Sequence, residues 1–374
     1  MNRNFQNTFL ISFIAVFTAL LFYTISDYGV TWDAAGGELF LGDRYFHFFT
    51  TLDPSYLDPN IDDTPIYHQP GHPNFFANSP YARQFPNEIS GFGLMLTSIT
   101  KHCFYEYLGI MDPIDAHHVA IGLISIILFI VLFRFVCRYH GCVAAMGTLL
   151  CLVVHPRFWA DLHNNPKDVP EVVFFSLVIL FYAHGLYANK AKYIYLAGIS
   201  WGAALASKGN ALFLPVILTP WFLTLCAERY FAKDKILTRR MFFALPLSVL
   251  IACCLYPILW PFLLADFPNH FMEYINFLTT RGVEGVGYWQ LNPLKKLIFT
   301  TPVSVLFLFV TGFVSVFIQT VRGQILKSYF VLLCFWLAVP VIRVSIRILN
   351  LQIFAGFRTF SPERHAANFQ GLYI

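Results

Sequence analysis

Charge is what this sequence has least of. Only 12% of its 374 residues are Asp, Glu, Lys or Arg, against about 25% in an ordinary soluble domain. A water-soluble globule of this length cannot cover its surface with so few charges. Disorder and nucleic-acid binding are excluded on the same ground, because both need dense charge and few aromatics, and here 18% of residues are aromatic. Cysteine motifs are absent too. No pair among the eight cysteines has the spacing of a zinc site or a redox motif, and seven of them lie in or beside apolar runs, where a thiol packs as a small hydrophobe. Also missing is a small-residue cleavage site before Ser26 and Asp27, so the first apolar run reads as an uncleaved anchor.

What is present is apolar sequence: 57% hydrophobic residues and a mean hydropathy of +0.59. A bilayer core takes about 20 mostly apolar residues per helix. By that measure the chain is an all-α integral membrane protein with about nine spans, near 8–26, 116–137, 142–160, 170–188, 193–207, 211–227, 241–264, 297–321 and 328–348. With the N-terminus inside, the inner segments carry twelve basic residues against only Glu228 and Asp234, leaving thirteen basic and nineteen acidic residues outside. The positive-inside rule therefore gives an N-in, C-out topology. The basic stretch 229–240 fixes that topology and meets anionic lipid.

Asp and Glu are almost absent from the middles of the spans and gather in the outer segments 27–115 and 155–171. Ion-coupled transporters keep ionisable groups near the bilayer midplane, so chemistry at the outer face is the better reading. In the segment 27–115, Leu39, Gly42, Phe46 and Phe49 recur at helical spacing, with Asp43, Arg44 and His47 on another face. That predicts an amphipathic helix in the interface. A loop rich in Pro, Asn and Asp follows over 53–86, then a second apolar helix near 89–108.

Asp33, behind Trp32 and just outside the first span, can act as a general base for an acceptor hydroxyl or as the N-cap of the interfacial helix. His68, His72 and Glu88 match no metal-ligand spacing together with it. In the second loop, Lys167 beside Asp168 offers a cation next to a carboxylate, suited to a lipid phosphate and an acceptor. The same residues also fit a turn, a helix cap and a headgroup anchor. A late outer loop over 265–296 holds the glycine-rich run 281–289, readable as a mobile loop or a lid.

Several runs resemble one family in order along the chain. They are Thr31-Trp32-Asp33, Asp115-Ala116-His117-His118, His155-Pro156-Arg157-Phe158, Asn165-Pro166-Lys167-Asp168, Lys208-Gly209-Asn210-Ala211-Leu212, Tyr256-Pro257 with Leu259-Trp260, and Thr300-Thr301-Pro302. Together they resemble the phospholipid-carrier-dependent glycosyltransferases, relatives of protein mannosyltransferases and the lipid A aminoarabinose transferase. The resemblance covers roughly residues 31–360. It implies a bundle similar to the type-C glycosyltransferases and inverting transfer of a hexosyl or pentosyl group. It also implies a polyprenyl-phosphate-linked sugar as donor and an acceptor outside the cytoplasmic leaflet of a bacterial inner membrane.

On that basis Asp33 is the base, Asp168 the second acid, and Lys167, Lys208, Asn165 and His163 the substrate-binding candidates. Lys208 alone also reads as a snorkelling anchor. No cofactor follows from these residues, and a divalent metal is compatible with them. Two departures stand out. Ala34 replaces the acid that follows the first-loop Asp in the family, and Glu38, about 140° further round a helix, substitutes poorly. The run 354–360 resembles a segment that leads into another span, yet residues 361–374 are a polar tail, which implies a shortened copy. A polytopic lipid or oligosaccharide transporter and an inactive remnant are the competing readings.

Overall fold

The computed structural model describes residues 3–29, 31, 38–57, 90–235, 237–280 and 291–345. Asp33, His68, His72, Glu88, the run 281–289 and the tail 361–374 lie outside the described residues. Within them all regular structure is helical, including fifteen α-helices. Six of these helices are long and apolar enough to cross a membrane, or seven if one bent pair counts as a span. The chain is therefore an all-α membrane protein, and its nine apolar runs are not nine equal crossings.

The differences have local causes. The third run is broken: α5 (Cys142–Val153) and α6 (Pro156–Asn164) meet at 63°. His155 is extended ahead of Pro156, because a residue before proline is pushed out of the helical region. The fifth run forms α8 (Ala191–Ser207), whose 17 residues reach only about 25 Å of a hydrocarbon core near 30 Å. The seventh stops at Ile258, the end of α10 (Arg239–Ile258), and Pro261 opens the short α11 (Pro261–Ala265). The eighth divides at Pro302 into α13 (Asn292–Thr300) and α14 (Val303–Val321).

The core is built around α7 (Asp168–Ala188). One face packs on α4 (Pro113–His140) and α6, and α1 (Arg3–Thr24) and α5 pack on α4 in the same apolar cluster, which holds Phe17, Leu21, Phe129 and Val173. Another packs on α8, α9 (Leu214–Phe231) and α10, through Val178, Ala204, Trp221 and Ala244. Asn189, in the left-handed region at φ 55°, closes α7 and turns the chain into α8. Gly198 and Gly202, four apart on α8, let it lie directly on α10. A Cβ at Gly198 would stand 2.4 Å from the Ser248 carbonyl oxygen, and one at Gly202 2.7 Å from Leu255 Cβ. Close backbone approach of this kind is how helices associate without a hydrophobic driving force.

The first outer segment folds onto this bundle. Helix α2 (Leu39–Thr51) lies against α3 (Phe92–Lys101), with Gly42 so close that a Cβ would meet the Leu94 carbonyl at 2.4 Å. The α2 face expected to meet water is largely buried: Asp43 and Arg44 are both inside. Each is compensated, Asp43 by Lys101 at 2.9 Å and Arg44 by donation to the Tyr56 carbonyl at 2.6 Å. The second apolar helix is shorter than expected; α3 ends at Lys101 and continues as a wider turn over His102–Tyr107.

Candidate active site

The turn between α6 and α7 sets the chemistry. Asn165 accepts from the Asp168 N–H at 2.9 Å and donates through its side-chain amide to Asp168 Oδ2 at 3.0 Å. It thus satisfies one of the unpaired amides at the start of α7 and fixes the carboxylate at the same time. Asp168 lies in the first turn of α7, where the helix dipole favours a negative charge. Gly93 of α3 leaves room for this turn, since a Cβ there would sit 2.1 Å from the Pro166 carbonyl oxygen.

Lys208 comes from the other side of α7. It interrupts the path from α8 to α9 with an extended backbone, and the chain resumes as a short tight helix over Gly209–Phe213. Its ammonium pairs with Asp168 Oδ1 and lies 4.0 Å from Glu171 Oε2. Burial pulls the Lys208 ammonium down, but Asp168 outweighs it and holds the group above its ordinary range. Glu171, one turn beyond Asp168, is buried and accepts from the Asn210 side-chain amide at 3.2 Å.

The other candidates divide. Lys167 pairs with Glu38, a buried carboxylate just ahead of α2. The first outer segment and the second loop are therefore in contact, and Glu38 enters the site as the partner of Lys167. His163 is fully buried and turned away from these groups. Its Nδ1 lies 2.7 Å from the Trp159 carbonyl oxygen, its Nε2 lies 2.9 Å from Thr24 Oγ1, and its ring stacks on Tyr28. His117 and His118 are buried near the start of α4; His117 lies 4.0 Å from Asp43.

Sequence reasoning did not select Glu171, Asn210 or Tyr274 as site residues. Glu171 carried a usable signal, since three residues from Asp168 on a helix is one face. Tyr274, on α12 (Phe267–Thr280), is buried and packs edge-on against Trp260 with ring centres 4.9 Å apart. Burial pushes its hydroxyl above the usual range. The described residues hold no group of three or more His, Cys, Asp or Glu arranged to bind a metal ion.

This is an integral membrane protein with two lysine–carboxylate pairs gathered where the second loop, the α8–α9 junction and the start of α2 meet. Residues 110–259 match the family described as dolichyl-phosphate-mannose-protein mannosyltransferase. The matched stretch contains Asp168, Glu171, Lys208 and Asn210, and it is consistent with the type-C glycosyltransferases. Over that stretch the chain is similar to a family described by transfer of mannose from a lipid phosphate. No curated protein and no solved structure matches the chain.

Proposed function

We propose that this protein transfers a sugar from a polyprenyl phosphate to an acceptor hydroxyl at the outer face of the membrane, with inversion. The observation that carries the reading is the grouping of Lys208, Asp168 and Glu171 at the start of α7, inside the stretch that matches the mannosyltransferase family. The acceptor oxygen attacks the anomeric carbon opposite the phosphate, and the carbon–phosphate oxygen bond breaks. Polyprenyl phosphate leaves with the bonding pair, and the acceptor proton passes to a base. The phosphate is already a fair leaving group, so the protein positions donor and acceptor, takes one proton and holds the departing charge.

Asp33 is the base in this scheme, and Asp168 orients the acceptor. Lys208 and Lys167 hold the phosphate. An ammonium has three donors, so pairing with a carboxylate leaves Lys208 N–H groups for phosphate oxygens. Asn165 keeps Asp168 in place, and His163 acts through position, by tying α6 to the end of α1. The charge count of the loops supports a cytoplasmic N-terminus and an outer active site, and the family resemblance supports a bacterial inner membrane.

Native mass spectrometry of the purified protein tests the donor class. The wild type retains an added polyprenyl phosphate, and Lys208→Ala and Lys167→Ala each weaken retention about tenfold, the effect of one charge-assisted hydrogen bond. Asp33→Asn keeps the donor and abolishes transfer, because it removes a proton acceptor and little shape. A folded sample that holds no polyprenyl phosphate even when it is added overturns the reading.

A further inference from the structure

A cavity opens at the helix ends opposite the site just described. Its volume is about 530 Å³, and its walls come from the C-terminal ends of α4, α7 and α9 and from the turn between α14 and α15 (Lys327–Ser345). The active-site candidates lie at the N-terminal end of α7 and just before α9, so the two sites occupy opposite ends of the same helices. The loop charges assign this end to the cytoplasm.

The lining has an unusual combination of groups. Arg229 brings a positive charge, and Glu228 and Asp234 bring negative ones. The Arg229 guanidinium is held in place by donation to the Leu186 carbonyl at 2.6 Å. Tyr139, Tyr187 and Tyr329 supply aromatic walls. Glu228 is half engaged. Its Oε1 accepts the Lys327 and Ser328 N–H groups at the start of α15, whereas Oε2 is buried with no hydrogen-bond partner among the described residues. A buried carboxylate oxygen without a donor costs free energy that a bound N–H group would recover.

We propose that this cavity binds the headgroup of an aminophospholipid from the cytoplasmic leaflet. A primary ammonium donates to Glu228 Oε2, with the tyrosine rings around it, and the phosphate lies on the Arg229 side. The two signs of charge select a zwitterion, because an anionic headgroup meets Glu228 and Asp234 unpaired. The buried acceptor selects a primary amine, because a quaternary ammonium has no N–H to donate. The place of the cavity, at helix ends level with the headgroups, selects a lipid. This site is independent of the transfer reaction and stands whether or not the protein transfers a sugar.

The full chain is reconstituted from vesicles with equal parts of phosphatidylethanolamine, phosphatidylcholine and phosphatidylglycerol, and retained lipid is measured by native mass spectrometry. The wild type keeps phosphatidylethanolamine over both others. Glu228→Gln preserves the acceptor that caps α15 while removing the charge, and it lowers that retention about tenfold. Asp234→Asn, on an exposed turn, lowers it by about twofold and decides the matter if Glu228→Gln fails to fold. Equal retention of the three lipids, or unchanged retention in both variants, overturns the site. Soluble glycerophosphoethanolamine that competes as well as the lipid overturns the lipid as its ligand.

Discussion

Two lysine–carboxylate pairs in this molecule differ chiefly in how much water reaches them. Lys101 and Asp43 join α3 to α2 with side chains only 1% and 5% exposed, while Lys208 and Asp168 join the α8–α9 junction to α7 with 38% and 43% exposed. The buried pair has further charged neighbours: Lys101 also meets Glu106 at 2.8 Å, and His117 lies 4.0 Å from Asp43. Burial alone would raise the Asp43 pKa, but Lys101 and His117 outweigh it and bring it down to about 2. A pair so enclosed is shut off from water and holds α2 on α3. The open pair keeps contact with water, and its ions can exchange one partner for another at little cost. That is the property a phosphate site needs.

Removing one ion from each pair is the sharpest way to break this comparison. Lys101→Met strands a buried carboxylate and is expected to lower stability by about 3–5 kcal/mol, seen as a large drop in thermal unfolding midpoint in detergent. Adding Asp43→Leu to Lys101→Met recovers most of the loss. If Lys101→Met melts like the wild type, the pair is not the clamp described here.

Acid titration sharpens the contrast by a second route. Burial, together with the neighbouring His102, holds the His47 pKa down from 6.5 to about 4. The unfolded chain therefore binds a proton that the folded chain refuses between those values, and stability present above pH 6.5 is lost as pH falls toward 4. Asp43 adds a further loss below that window, from 3.8 toward about 2. His47→Gln should flatten the upper part of the decline in melting temperature against pH. An unchanged profile would remove His47 from the account.

The smallest effect is expected at the open pair. Lys208→Met should change stability by no more than about 1 kcal/mol, the range of water-exposed ion pairs, although the proposed function has the same position hold the donor. A loss as large as that of Lys101→Met would make Lys208 a structural lysine and weaken the proposed function.

The apolar runs by themselves determined the class of the molecule and the approximate place of its helices, because hydrophobicity along one segment needs no partner to be read. They misjudged where helices break, since Pro156, Pro261 and Pro302 act on single backbone positions inside otherwise continuous apolar runs. In the second loop the sequence singled out Asn165, Lys167 and Asp168, because those residues are adjacent and their spacing is local. Asp33 lies outside the described residues and rests on the sequence alone.

Tertiary structure decided the pairings. Lys208 is 40 residues from Asp168, and Lys101 is 58 from Asp43. A charge reveals only that it needs compensation, and which opposite charge supplies it depends on how the helices pack. Folding likewise carried Glu38 to Lys167, turned His163 inward against α1, and left one lysine–carboxylate pair closed and the other open. Sequence determines which segments must leave water; packing determines which of their few charges still meet it.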